Sequence, residues 1–355
     1  MGARARRLSW AMWVAVPATV AIVAYRHRQD LVRAGDLLVR AHPLLLVGAV
    51  GAIALLYACR GAVYGIPLRL LGFRPSRIFL WSAALGATTV HQLIPTAGAS
   101  GYAFLTWAML QRGVPAGRAS LVAIIDTLSY AAAVGTLVVA TLGYLFVGGR
   151  LGGAHFGGLV AMGVPIVTLA AWLYLLQRDR QRLTVRVLQL KDALARLLGR
   201  RWPDDLVTDV LEDYYRGQAV IGRQPLAFVK MIALQYVAVG CDATALYIAF
   251  RALDLAPPFW MVTMGFVVAM SGVAFLGVPG GGGGFELIMS AFFTSHGLTP
   301  ADSIAATLLY RVAAFWAPVV ATLVLLLRLR RRHKQIGGGT TRPPKTGARP
   351  ARARP

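Results

Sequence analysis

Residues 278–286 read Val-Pro-Gly-Gly-Gly-Gly-Gly-Phe-Glu, and this stretch interrupts an apolar region long enough to cross a membrane. A helix in the bilayer core must close its backbone hydrogen bonds internally, because no water is there to replace them. Pro279 and the five glycines after it break such a helix. Broken backbone at membrane depth is tolerated only where protein buries it or where it lines a polar cavity. The glycine run therefore predicts a site within the membrane.

The composition is that of a polytopic α-helical membrane protein. Of the 355 residues, 57% are hydrophobic and only 14% are charged, with a mean hydropathy of +0.60. Several apolar runs reach the roughly 20 residues that a spanning helix needs, and the sequence lacks the short alternating segments of a transmembrane barrel. The two cysteines lie in apolar runs and the six histidines are scattered. Neither a disulfide framework nor a metal site is indicated, and we expect no cofactor.

The hydropathy pattern predicts about eight full transmembrane helices and two half-helices. The full spans are residues 9–25, 43–59, 78–94, 119–147, 155–176, 226–250, 258–278 and 303–327. The half-helices, 99–111 and 285–296, are too short to cross alone, and each follows a Pro/Gly break. We interpret the first span as a retained helix, because no small-residue cleavage site precedes Arg26.

Basic residues are distributed unevenly between the two predicted sides. If each half-helix completes a passage, one side carries 29 of the 37 Lys and Arg residues and the other side carries 6. The first side comprises residues 1–9, 60–77, 111–118, 177–224 and 328–355. Short basic loops stay in the cytoplasm, so we expect both termini there and the protein in the cell (inner) membrane. The net charge of +23 is then explained by loops facing anionic lipid, and no nucleic-acid partner is expected.

The predicted domains are a membrane domain, residues 1–327, and a basic disordered tail, residues 328–355. Within the first, residues 177–224 form a basic amphipathic insert on the cytoplasmic side. Apolar residues recur in it at helical spacing, first from Leu183 to Leu197 and again from Leu206 to Tyr214. The pattern is compatible with helices lying on the inner membrane surface and with a helical hairpin packed on the bundle.

The two half-helices belong to an internal repeat. A proline and two glycines recur at identical spacing, as Pro95, Gly98 and Gly113 in the first unit and as Pro279, Gly282 and Gly297 in the second. The helix break in the first unit runs from Pro95 to Gly101. On the predicted topology the units run in opposite directions, which is the architecture of many secondary transporters with a site near the midplane. The alternative is that the glycines merely allow close helix packing.

Charged residues inside the predicted spans supply the candidate site. A central charge costs about 2.5 to 3.5 kcal/mol on translocon-based scales, so such residues usually pair or face a cavity. The guanidinium of Arg311 can hold a phosphate bidentately, and the N-terminus of the half-helix near Phe285 adds N–H donors and a positive dipole end. Together they predict binding of an anionic lipid headgroup. The alternative is a structural ion pair of Arg311 with Asp126 or Glu286.

Glu286 would balance Arg311 in the empty site or hold a cationic group of the substrate. Asp126 and Arg311 occupy neighbouring positions in the two repeats, so we expect the repeat to bring them together. The predicted headgroup site comprises Arg311, Glu286, Asp126, Gly280, Gly281, Gly282, Gly283 and Gly284. His91 and Asp242 are further candidates, each with the alternative of a packing role.

The second break and its surroundings resemble a known family. The sequence from Val278 to Glu286, the spacing to Gly297, and Leu309-Tyr-Arg311 with Trp316 and Pro318 are similar to a signature of the lysylphosphatidylglycerol synthase transmembrane region family. This is the flippase-like domain of multiple peptide resistance factors. The resemblance extends from about residue 40 to residue 327, with residues 94–113 as a looser first signature. Many members carry an acidic residue where this chain reads Ala99-Ser-Gly-Tyr102.

The resemblance implies transport of aminoacyl-phosphatidylglycerol, or of another anionic or polyprenyl-phosphate lipid, between leaflets. It implies membrane lipids as partners. The cytosolic aminoacyl-transferase domain of the full-length factors is not expected here, so we expect no enzyme activity. Without a P-loop, transport would depend on ion coupling or on the lipid gradient. One alternative is a non-transporting scaffold that recruits a lipid-modifying enzyme through residues 177–224. Another is an intramembrane transferase using Asp126, Glu286 and His91.

Overall fold

A computed structural model describes residues 28–93, 99–147, 180–198, 204–276 and 284–325, and within these ranges all regular structure is helical. The predicted all-α fold is confirmed for this part of the chain. The helices are α1 (Arg28–Arg40), α2 (Pro43–Leu70), α3 (Arg77–Leu93), α4 (Ala99–Leu110), α5 (Ala116–Val147), α6 (Arg180–Leu198), α7 (Asp204–Ile221), α8 (Pro225–Arg251), α9 (Phe259–Leu276), α10 (Gly284–Ser295) and α11 (Pro300–Leu325). Outside the described residues lie the predicted spans 9–25 and 155–176, the tail 328–355, and Pro95, Gly98, Pro279 and Gly280–Gly283.

Four helices are long and apolar enough to cross a membrane, namely α2, α5, α8 and α11. They correspond to the predicted spans 43–59, 119–147, 226–250 and 303–327. Apolar helices α3 and α9 lie where the spans 78–94 and 258–278 were predicted. The described part of the chain is thus a multi-pass membrane protein.

Helices α2 and α8 form the most extensive helix pair of the described structure. Each begins with a proline in its first turn, Pro43 and Pro225, where a missing N–H costs nothing. The backbone N–H of His42 donates to the carbonyl oxygen of Ala252, 3.0 Å away, and the His42 ring lies 3.4 Å from Asp254. Because the start of α2 meets the end of α8, the two helices run antiparallel.

The predicted end of the second span at residue 59 is wrong. Helix α2 continues for eleven residues beyond it, to Leu70, so the connection to α3 is residues 71–76 and not 60–77. The sequence-based boundary was placed at a charge, Arg60, although the apolar character resumes at Gly61. Arg60 therefore belongs to the membrane-spanning helix and not to the basic loops counted for the topology.

Both predicted half-helices are present as short helices with matching geometry. Helices α4 and α10 contain 12 residues each, and each packs against the helix before it and the helix after it. Each is followed by a glycine with positive φ, Gly113 at +75° and Gly297 at +95°, a conformation that glycine adopts without strain. The N–H groups of Val114 and Leu298 then bond back five residues, over 3.2 and 3.1 Å. These paired residues are all 184 positions apart.

The predicted amphipathic insert contains two helices, α6 and α7. Helix α7 packs against the start of α5, where a Cβ on Gly117 would lie 2.1 Å from the carbonyl oxygen of Val210. Leu211 and Tyr214 are buried there. Of the two interpretations of the insert, the structure supports packing on the bundle for α7.

The packing of α2 on α3 gives a stability prediction. A Cβ on Gly61 would lie 2.9 Å from the backbone carbon of Leu80, whereas a Cβ on Gly51, on the same helix, meets nothing within 4 Å. Gly61→Ala should force the helices apart and destabilise the protein by about 1–3 kcal/mol, seen as a lower melting temperature in detergent. Gly51→Ala is the matched control, and it should be neutral or stabilising because alanine favours helix. Equal melting temperatures for the two variants would contradict this packing.

Candidate functional site: a charged cluster inside the membrane

Arg311 forms an ion pair with Glu286. The Arg311 Nε donates to Glu286 Oε1 over 2.5 Å, and the two side chains are only 13% and 27% exposed. Glu286 lies in the first turn of α10, where a carboxylate also stabilises the positive end of the helix dipole. Of the two ion pairs considered from the sequence, the structure forms the one with Glu286.

Aromatic rings fix the position of this guanidinium. Its carbon lies 4.7 Å from the ring centre of Phe285 and 5.9 Å from that of Phe315, distances at which a cation is attracted to a ring face. Phe315 belongs to a π-helical turn, Val312–Trp316, that directly follows Arg311 in α11. Such turns are frequent at functional sites.

Asp242, in the middle of α8, connects this ion pair to the rest of the site. The hydroxyl of Tyr310, the residue before Arg311, donates to Asp242 Oδ1 over 2.9 Å. The Asp242 carboxylate also interacts electrostatically with Arg311 and, on the other side, with Arg60. Asp242, for which the sequence left both a functional and a packing role open, is thus within electrostatic range of two cations.

Arg60 is the functional candidate that the sequence reasoning missed. Its Nη1 donates to Thr88 Oγ1 over 3.1 Å, and its guanidinium carbon lies 5.6 Å from the ring centre of Tyr130. Both Asp126 and Asp242 interact with its charge. Its Nε is buried and has no hydrogen-bond partner among the described residues. The signal that could have found it is the apolar sequence that continues after it, from Gly61 to Leu68.

Asp126 accepts a hydrogen bond from Gln235 Nε2 over 2.8 Å, and it does not pair with Arg311 as the repeat suggested. Equivalent residues of the two units are 184 positions apart, so the equivalent of Asp126 is Tyr310 and not Arg311. In addition, α5 and α11 each pack on the α2–α8 pair. That pair carries Arg60 and Asp242 between Asp126 and Arg311.

These side chains form one charged cluster, defined as Arg60, Asp126, Asp242, Glu286 and Arg311. Arg60 lies 17 residues after Pro43 and Asp242 lies 17 residues after Pro225, so each is within about 6 Å of the middle of its helix at 1.5 Å per residue. Both side chains therefore start near the middle of a helix that is long and apolar enough to cross a membrane. The cluster contains two guanidinium groups and three carboxyl groups.

The two repeat units carry different chemistry at equivalent positions. Tyr102 and Thr127 lie 184 positions before Glu286 and Arg311, and both line the same groove between α4 and α5. A neutral pair in the first unit therefore replaces a charged pair in the second. The sequence showed Tyr102 at the acidic position, and the structure adds Thr127 as its partner.

The remaining predicted site residues that the structure describes are Gly284, Gly101 and His91. Gly284 begins α10. A Cβ on Gly101 would lie 2.8 Å from the carbonyl oxygen of Ala87 and 3.0 Å from the His91 side chain, so His91 lies against the start of α4, and it is also within electrostatic range of Arg60. Among the described residues no group of His, Cys, Asp or Glu could hold a metal ion.

The family comparison agrees with the motifs. The family described as lysylphosphatidylglycerol synthase TM region matches residues 10–322. The chain belongs to this family. The match includes all five residues of the charged cluster, and membership of the family connects the chain with membrane lipids. No curated protein matches the sequence.

Proposed function

We propose that this protein moves a phospholipid between the leaflets of the cell membrane, with Arg60 and Arg311 receiving the lipid phosphate. The observation that carries the proposal is a pair of guanidinium groups, Arg60 and Arg311, each within about 6 Å of the middle of a helix long and apolar enough to cross a membrane. Burying charge there is costly, and ionisable residues in spans usually mark a substrate or ion pathway. The guanidinium fork matches phosphate oxygens bidentately.

The transporter architecture we infer is an inverted repeat, in which α2–α5 corresponds to α8–α11. Three observations support it: the antiparallel α2–α8 pair, the matching proline starts of both helices, and the identical spacing of the two glycine turns. Substrate sites of such transporters lie at the interface of the repeats near the midplane. We infer that the charged cluster occupies the corresponding position in this protein, because Arg60 and Asp242 lie on the two helices, α2 and α8, that begin the two units.

The composition of the cluster favours a headgroup that bears both charges. Two arginines face three carboxylates, so a phosphate alone would leave the carboxylates without a further cation. A headgroup with a phosphate and an ammonium group, as in an aminoacyl-phosphatidylglycerol, would match both kinds of side chain. A polyprenyl phosphate offers no cation. We therefore infer an aminoacylated phospholipid as substrate, moved without covalent chemistry by the membrane domain.

Leaflet exchange in liposomes tests this function. The full chain is reconstituted with fluorescent aminoacyl-phosphatidylglycerol or phosphatidylglycerol, and the outer leaflet is quenched with dithionite. We expect fluorescence to fall below the inner-leaflet half in protein liposomes, and to stay at that half in empty liposomes and in liposomes with an unrelated helical membrane protein. Exchange no faster than in the controls, for both lipids, would overturn the proposal and favour the scaffold function.

A further inference from the structure

A groove between α4 and α5 lies beside the charged cluster. Its volume is about 410 Å³, within the range of about 300 to 1,000 Å³ that is typical of ligand sites. Its walls include Tyr102, Ala103, Thr106 and Trp107 on α4, and Ser120, Ala123 and Thr127 on α5. These are residues at spacings of three and four, so the groove follows one face of each helix.

The groove is open along α4, where several of its wall residues are exposed among the described residues. Along α4, Tyr102 is 37% exposed, Trp107 is 52% exposed and Leu110 is 44% exposed. From Tyr102 to Leu110 the groove follows α4 for about 12 Å. Its surface is mostly apolar, and the Thr127 hydroxyl already donates to the Ala123 carbonyl oxygen over 2.9 Å. A mostly apolar surface of this kind suits a hydrocarbon chain, and burying the Thr127 hydroxyl beneath the chain leaves that hydroxyl hydrogen-bonded.

The inner end of the groove reaches the charged cluster. Tyr102 interacts there with Thr127, the neighbour of Asp126, and with the charges of Asp126 and Arg60. At the equivalent position of the second unit stands the Glu286–Arg311 ion pair. In the first unit, therefore, the groove wall next to the charged cluster carries the neutral side chains Tyr102 and Thr127.

We propose that the α4–α5 groove binds one acyl chain of a phospholipid and holds it beside the charged cluster. That the bound lipid is also the transported lipid rests on the proposed function. An acyl chain suits the site because the groove is exposed along an apolar helix of a multi-pass membrane protein, has a mostly apolar surface and ends at Thr127, the neighbour of Asp126 in the charged cluster. The neutral Tyr102–Thr127 pair then forms the boundary between chain and headgroup.

Photolabelling with a matched pair of variants tests the groove. Phosphatidylglycerol with a diazirine on one acyl chain is incorporated into liposomes that contain the full chain, and labelled residues are mapped by mass spectrometry. Ala103→Trp fills the groove from an exposed wall position, while Ala140→Trp places the same side chain at an exposed position of α5 beyond the groove. In the wild type we expect label on the groove residues. Ala103→Trp should decrease this labelling by about tenfold, which corresponds to about two buried methylene groups. Ala140→Trp should leave the labelling unchanged.

The outcomes separate the groove from the transport function. Label spread evenly over the exposed helix faces, or labelling unchanged by Ala103→Trp, would overturn the groove. Absence of label at these residues, together with a dimeric mass in detergent that Ala103→Trp shifts to that of a monomer, would also overturn it and assign the face to a second copy. Specific labelling without leaflet exchange would retain the groove and overturn only the proposed function. Exchange that is unaffected by Ala103→Trp would overturn the groove alone.

Discussion

Arg60→Gln is expected to abolish lipid exchange and to destabilise the protein. The substitution leaves Asp126 and Asp242 inside the membrane domain without the cation that faces both of them. Removing one partner of a buried charge pair costs about 3–5 kcal/mol, and because Arg60 is not fully buried we expect the lower end of that range. The melting temperature in detergent measures the loss of stability, and leaflet exchange in liposomes measures the loss of function.

Arg69→Gln is the control for this prediction. Arg69 lies on the same helix but is exposed near its end, so both measurements should match those of the wild type. Loss of stability and loss of function are separated by Arg60→Gln combined with Asp242→Asn. Removing both charges should recover part of the stability, but exchange should remain absent. Normal exchange by either Arg60 variant would contradict a role for Arg60 in holding the lipid.

The two partners of the Glu286–Arg311 pair should behave differently when neutralised. Arg311→Gln removes a donor to the phosphate, and hydrogen bonds to charged groups are worth about 1.5–3 kcal/mol, so exchange should slow by about 10- to 100-fold. Glu286→Gln removes one carboxylate that competes with a lipid phosphate for the Arg311 guanidinium. We expect it to bind an anionic lipid more tightly and to release it more slowly, lowering the exchange rate with higher apparent affinity.

An exposed ion pair provides the comparison. Arg216 and Glu212 are one turn apart on α7, with their nitrogen and oxygen atoms 2.7 Å apart and both side chains at least half exposed. Such pairs contribute little to stability, so Glu212→Gln should leave exchange and melting temperature unchanged. If Arg311→Gln and Glu286→Gln lowered exchange equally, with the same affinity change, the pair would be structural and not part of a binding site.

The sequence predicted the parts of the fold that depend on local pattern. The two short helices begin and end close to the predicted residues, because the Pro/Gly breaks and the later glycines delimit them chemically. Arg60 was missed for a non-local reason. A charge normally ends a span, and here its cost is offset by Asp126 and Asp242, which are 66 and 182 residues away in sequence.

Side-chain partners within the membrane also depended on the tertiary structure. Spacing alone suggested that Asp126 would meet Arg311, but the α2–α8 pair lies between their helices. Similarly, the amphipathic pattern of α7 shows only that one face is apolar. Contact with the start of α5 at Gly117, rather than with lipid, is a property of the folded chain.

The most direct test of the charged cluster is equilibrium binding of a headgroup. Short-chain aminoacyl-phosphatidylglycerol is titrated into the purified full chain in detergent, and its dissociation constant is measured by calorimetry. Arg60→Gln/Arg311→Gln is compared with Arg69→Gln/Arg216→Gln, which removes the same charge from exposed positions. We predict affinity at least about 100-fold weaker for the first variant, at about 1.5 kcal/mol or more per lost charged hydrogen bond, and wild-type affinity for the second. Equal affinity in all three proteins would contradict a lipid-phosphate site at Arg60 and Arg311.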